Sequence, residues 1–196
     1  MKKIAVFVSG SGSDLQSIID AIESGYISNV SIATVIASKD GIYAIERCKK
    51  HNIDCKVFKK NDYANNAQKD MHIREYLRAK GVEFIVLAGY LSILTNELVD
   101  YYERRIINIH PSLIPSHCGP QMYGLKVHES VINSKDKITG VTIHYVDLGT
   151  DTGEIIEQEK VEVLENDTPE TLQLRVLEVE HKMLPRVIKK LLEGVN

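Results

Sequence analysis

The stretch Ile4-Ala5-Val6-Phe7-Val8-Ser9-Gly10-Ser11-Gly12-Ser13-Asp14-Leu15-Gln16-Ser17-Ile18-Ile19-Asp20-Ala21-Ile22 decides the fold class. Its first five residues are an unbroken apolar run, which suits a strand covered on both faces. Leu15, Ile18, Ile19 and Ile22 then recur at i, i+3, i+4 and i+7, one face of a helix, with Gly25 placed to stop it. A glycine-rich turn, Ser9 to Asp14, joins the two. Strand, tight turn and amphipathic helix together open a parallel α/β sheet.

The alternation continues outward from there. Val30 to Ala37 predicts a strand, Ile42 to Lys50 a helix, Cys55 to Phe58 a short strand, and Asn61 to Ala79 a helix closed by Gly81. Phe84-Ile85-Val86-Leu87-Ala88 reads as a central strand, Asn96 to Tyr102 as a short helical piece, and Arg105 to Ile109 as another strand. Pro111 to Tyr123 carries Pro111, Pro115, Gly119 and Pro120 with little periodicity, so it is a loop. A helix from Leu125 to Asn133 precedes two longer strands, Thr139 to Val146 and Glu154 to Val163, whose short connection predicts antiparallel pairing. Thr168-Pro169 supplies an N-cap and first-turn proline for the last helix. The expected fold is α/β: a Rossmann-like, doubly wound, mostly parallel sheet with an antiparallel C-terminal strand pair. No repeat or linker divides residues 1–196, so one domain is expected, with an N-terminal phosphate-binding half to about residue 100 and a C-terminal half from about 101.

Composition narrows the function. The 196 residues are 43% hydrophobic and 26% charged, ordinary for a folded protein. A formal charge of −3 argues against a dedicated nucleic-acid binder. No apolar run is long enough for a membrane span, and Ile4 to Val8 ends at Ser9-Gly10 without a signal-peptide cleavage stretch, so a cytoplasmic protein is expected. Cys48, Cys55 and Cys118 form neither a disulfide framework nor a CxxC metal pair, and read as unpaired thiols.

Two places carry chemistry. In the Ser9–Asp14 turn, glycines bring bare backbone close to a ligand, and the N–H groups opening the next helix favour an anion; phosphate at Gly12, Ser13 and Asp14 is the expectation. A plain strand-to-helix turn with Ser13 or Asp14 as cap is the alternative, and it would also point the Asp14 carboxylate away from phosphate. A dinucleotide fingerprint would need glycine at position 15, where Leu15 stands. The second place is the end of the strand at residues 105–109, where Asn108 and His110 share one face. An amide beside an imidazole suits a developing oxyanion and a proton transfer. Asp151, in the turn Leu148-Gly149-Thr150-Asp151-Thr152-Gly153, comes to the same sheet edge, where a carboxylate would orient and support the protonated imidazole. His144 faces the same way as Thr142 and Val146 and either lines that cavity or serves structure. Glu180 falls inside the apolar stripe Leu172, Val176, Val179, Met183, Leu184, Val187 and Leu191; it is either held there for a ligand or paired at the rim with a lysine or arginine.

Ser9-Gly10-Ser11-Gly12-Ser13-Asp14-Leu15-Gln16, Val86-Leu87-Ala88-Gly89-Tyr90, Asn108-Ile109-His110-Pro111-Ser112-Leu113-Ile114-Pro115 and Asp151-Thr152-Gly153 together closely resemble the folate-dependent formyltransferases, specifically the phosphoribosylglycinamide formyltransferase family, along essentially the whole chain. The resemblance implies formyl transfer from 10-formyltetrahydrofolate to glycinamide ribonucleotide in purine biosynthesis, with no metal, by a monomer or homodimer. It implies that Gly12, Ser13 and Asp14 hold the phosphate and that Glu180 binds the ribonucleotide. Leu91, Ser92, Ile93 and Leu94, with Asn108, Val146, Asp147, Gly149 and Thr150, would enclose the folate. Asn108 and His110 would stabilise the tetrahedral intermediate while Asp151 raises the basicity of His110. Asp14 stands where the family usually has asparagine, Ser92 where arginine is frequent, and Asn65-Asn66 where an arginine is common. Lys59, Lys60 or Lys69 would then take over contacts to the folate tail. A formyltetrahydrofolate hydrolase, a methionyl-tRNA formyltransferase or a catalytically silent phosphate- or nucleotide-binding module are the competing expectations. The first two normally carry further domains, and the last leaves Asn108, His110 and Asp151 without a role.

Overall fold

The structure, a computed structural model, describes residues 1–194; the last two residues of the expected domain lie outside the described residues. Strands β1 (Lys2–Val8), β2 (Val30–Ala37), β3 (Cys55–Val57), β4 (Phe84–Leu87), β5 (Ile106–His110), β6 (Ile138–Tyr145) and β7 (Ile155–Glu162) make one seven-stranded sheet in the order β3-β2-β1-β4-β5-β6-β7. The first five run parallel; β6 and β7 are antiparallel to their neighbours, as the short turn between them requires. Helices α1 (Ser13–Glu23), α2 (Tyr43–Lys50), α3 (Asn66–Lys80), α4 (Asn96–Val99), α5 (Leu125–Ser134) and α6 (Pro169–Glu193) complete the fold. The doubly wound, mostly parallel architecture is the one expected.

Alternation along β1 shows why this sequence covers both faces. Ile4, Val6 and Val8 enter one core with residues of α1, α2, α5 and α6, including Leu15, Ala44, Val131 and Leu184. Ala5 and Phe7 enter the other with Ile73 and Leu77 of α3 and Leu98 of α4. Each of these side chains is fully buried, and large ones contribute roughly 1.5–3 kcal/mol apiece by leaving water. Strand order reverses between β1 and β4: the chain builds outward through β2 and β3, then returns to the far side of β1. The carboxyl ends of strands beside such a reversal leave a crevice. The Ser9–Gly12 turn and the loop after β4 flank it.

Most element ends fall within a residue or two of expectation. The helix expected from Asn61 is the main departure. Lys60–Asp62 is a separate 3₁₀ turn and α3 begins only at Asn66. There the Asn65 side chain accepts the Gln68 N–H at 2.9 Å, while Gln68 Oε1 accepts the Ala64 N–H at 2.8 Å, a reciprocal cap that fixes the true start. The piece expected to reach Tyr102 is helical only over Asn96–Val99. Among the described residues no helix is long and apolar enough to cross a membrane. All three cysteines are free.

Candidate active site

A cleft of about 510 Å³ opens at the strand reversal, within the range of small-molecule sites. Gly12, Ser13, Asp14, Leu91 to Leu94, Asn108, His110, Val146, Asp147, Gly149, Thr150, Asp151 and Glu180 all line it. The three lysines expected near a folate tail do not. Lys69 is wholly buried beneath the wall, Lys59 pairs with Asp40 at 2.5 Å, and neither they nor Lys60 reach the lining.

At one end, Gly12 is the N-cap of α1 in the left-handed conformation, φ 71°, and no side chain caps the helix. The first-turn N–H groups are therefore left for an anion. A Cβ on Gly12 would lie 2.8 Å from the Ala44 Cβ, so glycine lets α2 close against the turn. Arg47 of α2 fastens it: Nε donates to the Ser11 carbonyl and a terminal nitrogen donates to Gln16 Oε1, both at 2.9 Å.

Asp14 does not cap the helix, contrary to the alternative expectation, because Gly12 supplies that turn by backbone alone. Its carboxylate is buried, with Oδ1 3.6 Å from His181 Nε2 and neither atom in a hydrogen bond. Burial pushes the Asp14 carboxyl up to about 6. Glu180, 5% exposed on the buried face of α6, is held well above the ordinary range by burial and then by the charge of Asp14. Its charged neighbour is a carboxylate, not the lysine or arginine of a rim ion pair.

At the other end, β5 presents Asn108 and His110 to the cleft. Asp151 reaches them from the β6–β7 turn, at φ 58°, a left-handed conformation that aspartate tolerates better than most. Asp147 Oδ1 shapes that turn by accepting the Gly149 N–H at 3.0 Å and the Thr152 hydroxyl at 2.6 Å. His110 Nε2 lies 3.0 Å from the His117 carbonyl. A carbonyl only accepts, so Nε2 carries the hydrogen and Nδ1 is the nitrogen that can gain or lose a proton. Nδ1 faces Asp151 Oδ2 at 3.6 Å, and that oxygen also accepts the Gly119 N–H at 2.9 Å. Burial lowers the His110 pKa, opposed by the His117 carbonyl and the Asp151 charge. Burial alone would raise Asp151; the neighbouring His144 and His110 rings and the Gly119 N–H together hold it below its ordinary value.

His144 belongs to this cluster. Its Nδ1 lies 2.8 Å from the Tyr145 carbonyl and so donates, leaving Nε2 to accept from Asn108 Nδ2 at 3.1 Å. The second hydrogen on Asn108 Nδ2 points to Asp151 Oδ1 at 3.4 Å. Both amide hydrogens are thus engaged within the protein, the longer one weakly. His128 of α5 also lines the cleft, its Nδ1 without a partner. Burial and then the His110 charge push its pKa down to about 4. A lone histidine in a helix outside any motif gave no signal in the sequence. Neither did the backbone carbonyl of His117 that orients His110.

The family described as Formyl transferase matches residues 2–188. Phosphoribosylglycinamide formyltransferase of Haemophilus influenzae is 40% identical over 194 residues, 99% of this chain and 89% of the relative. That of Bacillus subtilis is 40% identical over 196 residues, covering 100% of this chain and 97% of the relative. The crystal structure of glycinamide ribonucleotide transformylase 1 from Symbiobacterium toebii is similar at a TM-score of 0.93 and 36% identity, over 99% of this chain and 89% of that one. That of phosphoribosylglycinamide formyltransferase from Bacillus halodurans is similar at 0.92 and 39%, over 100% and 97%. Matched from its first strand into its last helix, with the motif residues gathered around one cleft, the chain belongs to the formyl transferase family.

Proposed function

We propose that this protein transfers a formyl group from 10-formyltetrahydrofolate to the primary amine of glycinamide ribonucleotide, a step of purine biosynthesis. One observation carries the proposal: a single cleft joins an uncapped helix N-terminus, suited to a phosphate, to an imidazole and an amide that both approach one carboxylate. The phosphate lies at Gly12, Ser13 and Asp14 with Glu180 toward the ribose, and the folate lies against residues 91–94 and 146–150. The amine attacks the formyl carbon, forming the new C–N bond as the carbonyl oxygen gains charge. Asn108 redirects to that oxygen the hydrogen now held weakly by Asp151, and His110 supports it as the imidazolium, with its proton at Nδ1. Asp151 stabilises that imidazolium. A proton passes from the attacking nitrogen to N10, the C–N10 bond breaks, and tetrahydrofolate leaves.

The test is tetrahydrofolate release from purified protein supplied with both substrates. Release that requires the ribonucleotide supports the proposal; release without it favours a hydrolase, and no release refutes transfer. His110→Ala is expected to lose about 10²–10⁴ in rate while remaining folded.

A further inference from the structure

We propose that Lys69 and Asp70 of α3 are positioning residues that set the shape of the cleft wall from Tyr90 to Thr95. Both residues are fully buried. Lys69 Nζ donates to Tyr90 Oη at 3.2 Å, lies 5.5 Å from the centre of the Tyr90 ring, and pairs with Asp70 Oδ1 at 3.3 Å. Asp70 Oδ2 accepts both the Thr95 N–H at 2.7 Å and the Thr95 hydroxyl at 3.0 Å. Two consecutive helical residues therefore grip the two ends of one six-residue segment. Between the grips, Leu94 is buried in the core but Leu91 and Ile93 are 55% and 59% exposed, so burial anchors the wall at one residue and leaves the rest to the two grips.

The pair is poorly explained as a stability device. Withdrawing an ammonium and a carboxylate from water costs about as much as their attraction returns, and apolar residues of similar volume commonly do as well or better. Apolar contacts, however, cannot direct a hydrogen bond to a chosen hydroxyl at one end and a chosen backbone N–H at the other. Tyr90 is itself fixed from a second side, edge-on to Phe7 of β1 with centroids 5.1 Å apart. The wall is thereby referenced to α3 and to the central strand at once. This inference rests on the proposal that the wall borders the formyl-folate.

The test compares the unaltered protein with Tyr90→Phe, which deletes only the hydroxyl, and with Lys69→Met/Asp70→Asn, which removes both charges. The KM for 10-formyltetrahydrofolate is expected to rise about three- to tenfold, the factor a single lost hydrogen bond commonly produces. The KM for glycinamide ribonucleotide and kcat should stay within about twofold, a split that general loosening of the fold would not give. If the double variant does not fold, Tyr90→Phe alone decides. A folate KM that does not move, or equal changes in both KM values and kcat, overturns the positioning role. Absence of turnover in the unaltered protein would instead refute the proposed function, and the positioning role with it.

Discussion

Replacing Asp14 with asparagine should stabilise the protein at pH 8 and have progressively less effect as the pH falls from about 6 to 4. Burial lifts this carboxyl from its ordinary 3.8 to about 6. Between those values the unfolded chain has already released a proton that the folded chain still holds, so stability falls as pH rises. Below the lower value both states are protonated and the site costs nothing; above the upper one the loss is complete. At about 1.36 kcal/mol per tenfold change in proton affinity, the full loss is about 3 kcal/mol. The neutral amide has no such term. Thermal unfolding of the two proteins should therefore separate by about 6–12 °C at pH 8 and converge toward pH 4. Part of the gain comes through Glu180, whose own elevation depends second on the Asp14 charge. Glu180→Gln should accordingly add less in the Asp14→Asn background than alone. A gap that is constant with pH, or a wild type that is the more stable at pH 8, would refute the burial argument.

Gly12→Ala forces a Cβ to 2.8 Å from that of Ala44 at a left-handed φ of 71°. It should cost about 1–3 kcal/mol in urea denaturation and raise the ribonucleotide KM at least about tenfold, with the folate KM little changed. Asp151→Asn removes the charge that opposes the burial-driven lowering of His110. The imidazole should then protonate only at lower pH than in the wild type, as read by NMR titration of its ring protons; an unchanged midpoint would sever the proposed link. Gly140→Ala places a Cβ against the Glu159 carbonyl and the Leu113 side chain. It should destabilise the β6–β7 pair by about 1–3 kcal/mol and lower kcat by disturbing the Pro111–Tyr123 loop.

The legible parts of this protein are those where local pattern and tertiary role coincide. The two periods on either side of the glycine turn announced β1 and α1, and strand alternation placed Asn108 and His110 on one face. Glu180 betrayed itself by sitting in an apolar stripe, since a solvated glutamate has no reason to hold that phase. What stays hidden has no periodic pattern to announce it. Lys69 looks like any helical lysine, and only the packing of α3 under the wall buries it. The alternative in which Asp14 caps the helix rests on what aspartate usually does at a helix start, yet Gly12 takes that position by backbone alone. The sequence places the start of α3 too early because the polar run from Asn61 carries no periodicity, and the local Asn65-x-x-Gln68 spacing that marks the true start lies inside that run.

Ser9, at the end of the turn side of β1, accepts hydrogen bonds from the Leu91 N–H at 2.9 Å and from the Ser38 hydroxyl at 2.8 Å. One hydroxyl thus couples the turn proposed to seat the phosphate to the wall proposed for the formyl donor, and the span between them becomes a fixed gauge. An amine on a tether shorter or longer than ribosylglycinamide would arrive out of step with the carbon it must attack. Misplacement by about 1 Å can cost about a hundredfold in rate, so such an amine would react slowly however tightly its phosphate is held.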